Sequence, residues 1–204
     1  ETVIGRCLAK YPRESFFLAT KYPGHQIAER YDPAEVFEKQ LKKCGVEYFD
    51  FYLVHNVCES NIEYYLDEKY GTVDYLLKQK ENGRIKHLGF STHANFDNFK
   101  RYMDKYGKYM EFCQIQLNYL DYEFQEANKK MEYLKKLDIP VIVMEPIRGG
   151  RLANLSENEL STVKSIRDDV TAPEFAFRFI QSFDEVMVTL SGMSNFEQAK
   201  ENIK

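Results

Sequence analysis

Residues Phe49-Asp50-Phe51-Tyr52-Leu53-Val54 form a short, mostly apolar run with no apolar–polar alternation. Such a strand is covered on both faces, which is the signature of a parallel sheet packed by helices rather than a half-solvated antiparallel one. The flanking sequence agrees. Upstream, Asp32-Pro33 reads as an N-cap followed by a first-turn proline. Val36, Phe37 and Leu41 follow at helical spacing, and Cys44-Gly45 stops the helix. Downstream, Val73 to Lys80 reads as an amphipathic helix ending at Asn82-Gly83, and Ile85 to Phe90 as the next strand.

The alternation extends in both directions. Phe16 to Thr20 is predicted as the first strand, Phe96 to Met103 as helix and Phe112 to Leu117 as strand. Phe124 to Leu137 is predicted as one helix, with Met131 and Leu134 on one face. The strand at Val141-Ile142-Val143 is fed by Pro140. Helical patterns cover Glu157 to Ile166 and Pro173 to Ile180, and Val186 to Leu190 and Phe196 to Ile203 give the last strand and helix. Strands recur about every 30 residues, the length of a strand–helix unit. Right-handed crossovers leave a doubly wound sheet or a (βα)8 barrel. No Gly-rich turn of the dinucleotide-binding type follows any strand, which disfavours the first. The count of six strands is two short of a barrel. The sequence shows no linker or second domain, so residues 1–204 are read as a single, incomplete barrel domain.

Composition narrows the function. The chain has 204 residues, 28 Lys+Arg against 32 Asp+Glu, and a net charge of -4, with no basic block. That argues against nucleic acid as the main partner. No apolar run is long enough to span a membrane and no signal-peptide pattern is present. Cys7, Cys44, Cys58 and Cys113 have no C-x-x-C spacing, so neither a disulfide framework nor a metal or iron–sulfur site is expected, and reduced thiols in a cytoplasmic protein are. The helix charge run Lys129-Lys130 to Lys135-Lys136 reads as a solvated face. His25 falls in a polar loop, and His87 inside a strand reads as a packing residue.

In a βα barrel, chemistry gathers at the carboxyl ends of the strands. There the sequence places Lys21, His55, Ser91-Thr92-His93, Gln114, Gln116 and Asn118, the run Glu145 to Gly150, and Ser191-Gly192-Met193-Ser194. A lysine and a histidine ending adjacent strands suit stabilisation of negative charge on a carbonyl oxygen; the same residues also occur as a solvated lysine and a packed histidine. Gln114, Gln116 and Asn118 share one strand face and are expected to line a polar cavity. Gly149-Gly150 either admits a phosphate close to the backbone or is an ordinary loop. Gly192-Met193-Ser194 either offers a helix N-terminus to a phosphate or supplies Ser194 as an N-cap, with Glu197 completing a capping box.

Taken together, several segments resemble the aldo/keto reductase family. They are Phe16 to Lys21, Asp50 to His55, Gly83-Arg84-Ile85-Lys86-His87-Leu88-Gly89-Phe90-Ser91, Gln114 to Asn118, Glu145-Pro146, and Gly192-Met193-Ser194 with Glu201-Asn202. They occur in the family's order along nearly the whole chain. Met144-Glu145-Pro146 and Phe90-Ser91-Thr92-His93 are similar to a bacterial branch that often carries a C-terminal ferredoxin-like domain; the cysteine motif of that domain is not in this stretch.

The resemblance implies a (βα)8 barrel of the TIM type, lacking its first two strands here. It implies hydride transfer between NADP(H) or NAD(H) and a small aldehyde or ketone. Of the family's Asp/Tyr/Lys/His tetrad, Lys21 matches the lysine and His55 the histidine. The aspartate and tyrosine would lie ahead of Glu1, where Glu1 to Gly5 resembles the start of the helix after that tyrosine. The stretch alone is therefore expected to be inactive or nearly so, and to expose an apolar edge at Phe16 to Thr20.

Ser91 and Gln114 would hold the nicotinamide carboxamide, with Thr92 beside them. Met144 stands where many members stack an aromatic ring. Pro146, Ile147 and Gly149 belong to the loop over the pyrophosphate, and Gly192, Met193, Ser194, Gln198 and Asn202 to the adenosine end. Many NADPH users carry an arginine at the position of Gln198, and without it NADPH and NADH both remain open. The alternatives are a nucleotide-binding, non-catalytic regulatory member of the same family and an aldolase-type barrel using Lys21 as a Schiff-base lysine.

Overall fold

The computed structural model describes residues 1–24 and 32–203, so His25 lies outside the described residues. These fall into two compact units, Glu1–Cys113 and Gln114–Lys204. In the first unit, α1 (Thr2–Leu8) precedes β1 (Ala19–Tyr22), α2 (Pro33–Cys44), β2 (Phe49–Val57), α3 (Ile62–Leu66), α4 (Thr72–Glu81), β3 (Ile85–Thr92) and α5 (Phe96–Tyr106). Strands β1, β2 and β3 lie side by side in chain order, and both pairings are parallel.

Local chemistry sets these bounds. The Asp32 carboxylate accepts from the backbone N–H groups of Ala34 and Glu35, Pro33 opens α2, and Gly45 closes it in the left-handed region at φ 68°. The apolar face of α2 then packs on β2, with the Phe37 ring 5.3 Å from Tyr52 and 5.9 Å from Phe49. The first strand starts three residues later than Phe16 and runs through Lys21. The cause is Asp50: its carboxylate takes the N–H of Leu18 at 2.7 Å and the guanidinium of Arg13 at 2.6 Å, which removes Leu18 N–H from the ladder. Phe17, ahead of the strand, is 83% exposed and in edge contact with Phe51.

Strands β2 and β3 also outrun their expected ends, so His55 and Ser91-Thr92 lie within strands rather than after them. A bulge between Val54 and Val57 puts Asn56 at φ 55°. His87 is not packed inside: its ring stacks on Phe51 at 5.1 Å and its side chain is 51% exposed, with Glu111 3.6 Å from Nδ1. Gly89 has no room for a side chain, since a Cβ there would meet the Phe112 carbonyl oxygen at 2.5 Å.

The second unit holds β4 (Cys113–Gln116, beginning at the last residue of the first), α6 (Asp121–Phe124), α7 (Ala127–Lys136), β5 (Val141–Met144), α8 (Glu157–Ile166), α9 (Ala172–Gln181), β6 (Val186–Thr189) and α10 (Phe196–Asn202). Its strands again follow chain order, with β5 and β6 parallel. The single helix expected over Phe124 to Leu137 is broken in two by Glu126 at φ 52°. Lys130 departs from the solvated-face reading; it is buried, and its ammonium donates to the Gln125 carbonyl at 2.8 Å. Val141 and Val143 are fully buried, whereas Met187 and Val188 in β6 are largely open.

All four cysteines are free thiols. Among the described residues no helix is long and apolar enough to cross a membrane, and no group of three or more His, Cys, Asp or Glu could hold a metal ion. Substituting Gly89→Ala should cost about 2–3 kcal/mol of stability through overpacking against Phe112, read as a lower denaturant midpoint with an unchanged slope.

Candidate functional site

In the first unit the register builds one group of polar side chains. Lys21 pairs with Leu53, and Leu53 with Gly89. Because strand side chains alternate, His55, two residues beyond Leu53, and Ser91, two beyond Gly89, share the face of Lys21 near the carboxyl ends of three adjacent strands. Lys21 and His55 are half-buried and Ser91 is 1% exposed. Burial holds the Lys21 ammonium below the usual lysine pKa, and no described carboxylate lies within ion-pair distance of it. The Ser91 hydroxyl accepts the N–H of Asn56 at 2.9 Å, and its own proton still needs an acceptor. Thr92 is committed locally, donating to the Val57 carbonyl at 2.8 Å and accepting from Ala94 N–H at 3.0 Å.

The loop after β2 is fixed from α3, a helix that the hydrophobic pattern left unassigned. The Tyr65 hydroxyl donates to the His55 carbonyl at 2.8 Å, and Asn61 donates to the carbonyls of Gly24 and Asn56 at 2.7 and 2.8 Å. Tyr65 is buried, which pushes its phenol well above the usual range and keeps it a neutral donor. A Cβ on Gly24 would overlap the Tyr65 hydroxyl at 1.4 Å, so this approach requires glycine.

In the second unit the three amides on β4 and just beyond it do not simply line a cavity. Gln114 is 3% exposed and its amide donates toward the Met144 sulfur at 3.2 Å. Gln116 and Asn118 each donate to Oδ2 of Asp121 at 2.7 Å. Asp121 is 0% exposed, the Arg148 Nε lies 3.5 Å from the same oxygen, and Oδ1 has no partner. Asn118 also donates to the Glu145 carbonyl at 3.1 Å. These contacts restrain a turn whose backbone is left-handed at Glu145 (φ 54°), Arg148 (φ 47°), Gly149 (φ 61°) and Gly150 (φ 93°). The two non-glycine residues there carry strain of order 1 kcal/mol each. Asp121 carries no signal of its own in the sequence beyond the spacing Asn118-x-x-Asp121, and Arg148 enters there only within the run Glu145 to Gly150.

That turn borders an open cavity of about 1360 Å³ in the second unit. It is lined by Pro146, Ile147 and Gly149 on the turn and by Gly192, Met193, Ser194, Gln198 and Asn202 around the start of α10. Eight residues expected at a cofactor site thus share one cavity, while Gln114 and Met144 contact each other outside its lining. Gly149 and Gly192 have open space where a Cβ would project. The N-cap of α10 is Asn195, not Ser194, and Asn195 accepts from Gln198 N–H. Ser194 instead donates its N–H and hydroxyl to the Gln198 carbonyl oxygen at 2.8 and 3.0 Å, so no capping box with Glu197 forms. Asn202 ties to the Ser191 hydroxyl at 2.9 Å.

The aldo/keto reductase family model matches residues 1–204, and the chain belongs to that family. It is 34% identical over 89 residues to an NADPH-dependent alpha-keto amide reductase of Saccharomyces cerevisiae, an alignment spanning 43% of this chain and 27% of that protein. Its fold matches aldo-keto reductase AKR11C1 from Bacillus halodurans in the holo form, with TM-score 0.79 and 20% identity, covering 99% of this chain and 70% of that one. It likewise matches an aldo/keto reductase from Klebsiella pneumoniae in complex with NADP and acetate, with TM-score 0.72 and 17% identity, covering 98% and 68%. The α/β class with sequential parallel strands is that of the aldo/keto reductase (βα)8 barrel, of which the described residues form six strands.

Two measurements probe these environments. Asp121→Ala strands the amides of Gln116 and Asn118 and should cost about 2–3 kcal/mol in denaturant unfolding. Lys21 binds its proton less tightly folded than unfolded, so its cost is present at neutral pH and fades as pH rises through the lowered pKa toward 10.5. Lys21→Met should therefore raise the melting temperature at pH 7 and remove that part of the rise in stability with pH.

Proposed function

We propose that the protein is an oxidoreductase that transfers a hydride between NAD(P)H and a small aldehyde or ketone in the cytoplasm. The observation that carries this reading is the placement of Lys21 and His55 on one sheet face within a chain of the aldo/keto reductase family. A nicotinamide nucleotide, when bound, would supply the hydride for the new C–H bond. The oxygen then carries negative charge and needs one proton. A half-buried ammonium at Lys21 stabilises that charge more than a solvated one would, because the low-dielectric surroundings screen it less. The His55 imidazole donates a hydrogen bond that orients the carbonyl. Its backbone is held by Tyr65, which fixes the strand end from which the ring projects.

The cavity of the second unit fits a nucleotide by its chemistry. Gly149 and Gly192 present open backbone, and the polar tips of Ser194, Gln198 and Asn202 border the same space. Ser91, beside Thr92, in the first unit and Gln114, against Met144, in the second are each proposed as polar contacts of a nicotinamide.

The phenols of Tyr22 and Tyr65 are not read as the acid of the pair. Tyr22 shares a hydrogen bond with Tyr64 at 3.2 Å and Tyr65 donates to the His55 carbonyl. Burial raises both phenols, which makes them weaker acids. Neither of these two phenols is a ready proton donor to the pair, and this chain by itself is proposed to turn over weakly at most.

A second reading follows from the same lysine. Its lowered pKa leaves more free amine at neutral pH, as a Schiff-base nucleophile needs. The full-length protein, mixed with NADPH or NADH and an aldehyde, should consume reduced nicotinamide, and Lys21→Met should lower kcat by roughly 10²–10⁴. Borohydride trapping of a carbonyl compound on Lys21 without consumption of nicotinamide would favour the aldolase-type reading. Binding of nucleotide with no turnover by the full-length protein would favour a regulatory member.

A further inference from the structure

The charge around the second-unit cavity carries a selection that its shape alone does not. All four arginines of that unit are engaged by carboxylates: Arg148 with Asp121 at 3.5 Å, Arg151 with Glu159, Arg167 with Asp169 at 3.2 Å and Arg178 with Glu174 at 2.6 Å. The described titratable groups lining the cavity are Glu145, Asp168, Asp169 and Glu201 with one cation, Lys164; Asp169 is paired with Arg167, which leaves three carboxylates against one ammonium. Lys200 borders a neighbouring depression that Glu201 also lines. The side-chain carbonyl oxygen of Gln198 accepts from the Ser194 N–H and hydroxyl, which braces it locally.

A 2′-phosphate on an adenosine ribose adds about two negative charges and is best met by a bidentate guanidinium. Here the forks of Arg151, Arg167 and Arg178 already hold carboxylates, Arg148 has its Nε 3.5 Å from the buried Asp121, and the charges lining the cavity are mostly negative. A free 2′-hydroxyl fits the same surroundings, because a carboxylate can accept its proton in a hydrogen bond. We infer that this cavity selects a nicotinamide nucleotide without the 2′-phosphate, so that NADH is the working cofactor rather than NADPH. The inference rests on the reading above that the cavity holds the nucleotide. Long-range repulsion carries the selection, and Glu201 and Asp169 are its accessible levers.

The test is isothermal titration of the full-length protein with NAD and NADP, and with the fragments 5′-ADP and 2′,5′-ADP. The nucleotides lacking the 2′-phosphate should bind about tenfold more tightly at low ionic strength, a gap that narrows as salt screens the field. Glu201→Lys should shrink the gap, and Asp169→Asn, which also releases Arg167, should do the same if the first variant fails to fold. Equal or tighter binding of the 2′-phosphorylated forms overturns the inference and leaves the nucleotide reading standing. Binding of neither dinucleotide overturns both.

Discussion

A half-buried ammonium has to be held in place, because burial by itself disfavours its charge. At Lys21 the holding comes from the backbone. The register that sets Lys21 opposite Leu53 and Leu53 opposite Gly89 fixes which face the ammonium shares and how far it stands from the strand ends. A slip of one residue would turn Lys21 to the opposite face, where Tyr22, Tyr52 and Val54 are fully buried, and carry Tyr22 away from them. The register is secured at the foot of the strands by Asp50, which captures both Arg13 and the Leu18 N–H. It is secured at the top by the bulge at Asn56 and by the hydrogen bonds from Tyr65 and Asn61. The proposed chemistry of Lys21 and His55 follows from that geometry and from the family to which the chain belongs.

The second unit solves a different problem with the same means. Its turn from Glu145 to Gly150 needs a left-handed backbone at two non-glycine residues, a conformation that persists only when neighbours over-determine it. A fully buried carboxylate at Asp121 gathers Gln116, Asn118 and Arg148, and Asn118 reaches across to the Glu145 carbonyl. The polar network is thus spent on shaping the turn, and the cavity beside it is bordered by backbone and short side chains. That division explains why Gln116 and Asn118, whose shared strand face predicts a polar cavity lining, act as braces.

Much of the first unit was legible in its residues. Asp32-Pro33 and Cys44-Gly45 bracketed α2 because capping chemistry is local. The apolar runs marked β2 and β3 because strands covered on both faces need no alternation. The strand ends were missed where tertiary contacts set them: Asp50 moved the start of β1, and the bulge carried β2 through to Val57. Glu126 broke a helix whose apolar spacing was continuous, since spacing says nothing about one left-handed residue. Lys130 shows the same limit, for a lysine in a charge run can still bury its stem and find a carbonyl. The candidate site was read residue by residue from its position after strands and from family resemblance. Its second tier, Asp121, Tyr65 and Asn61, carries no signal in the hydrophobic pattern because it acts by hydrogen bonds between distant segments.

The proposed chemistry of Lys21 and His55 depends on where the substrate's carbonyl oxygen sits. A crystal structure of the full-length protein with NAD and a carbonyl-containing inhibitor would show this directly. We predict that the Lys21 Nζ and a ring nitrogen of His55 both point to that oxygen, with the imidazole at roughly 3 Å, while the nucleotide passes along Gly149 and Gly192. An inhibitor oxygen bound away from both nitrogens, or a nucleotide lodged elsewhere, would contradict the account.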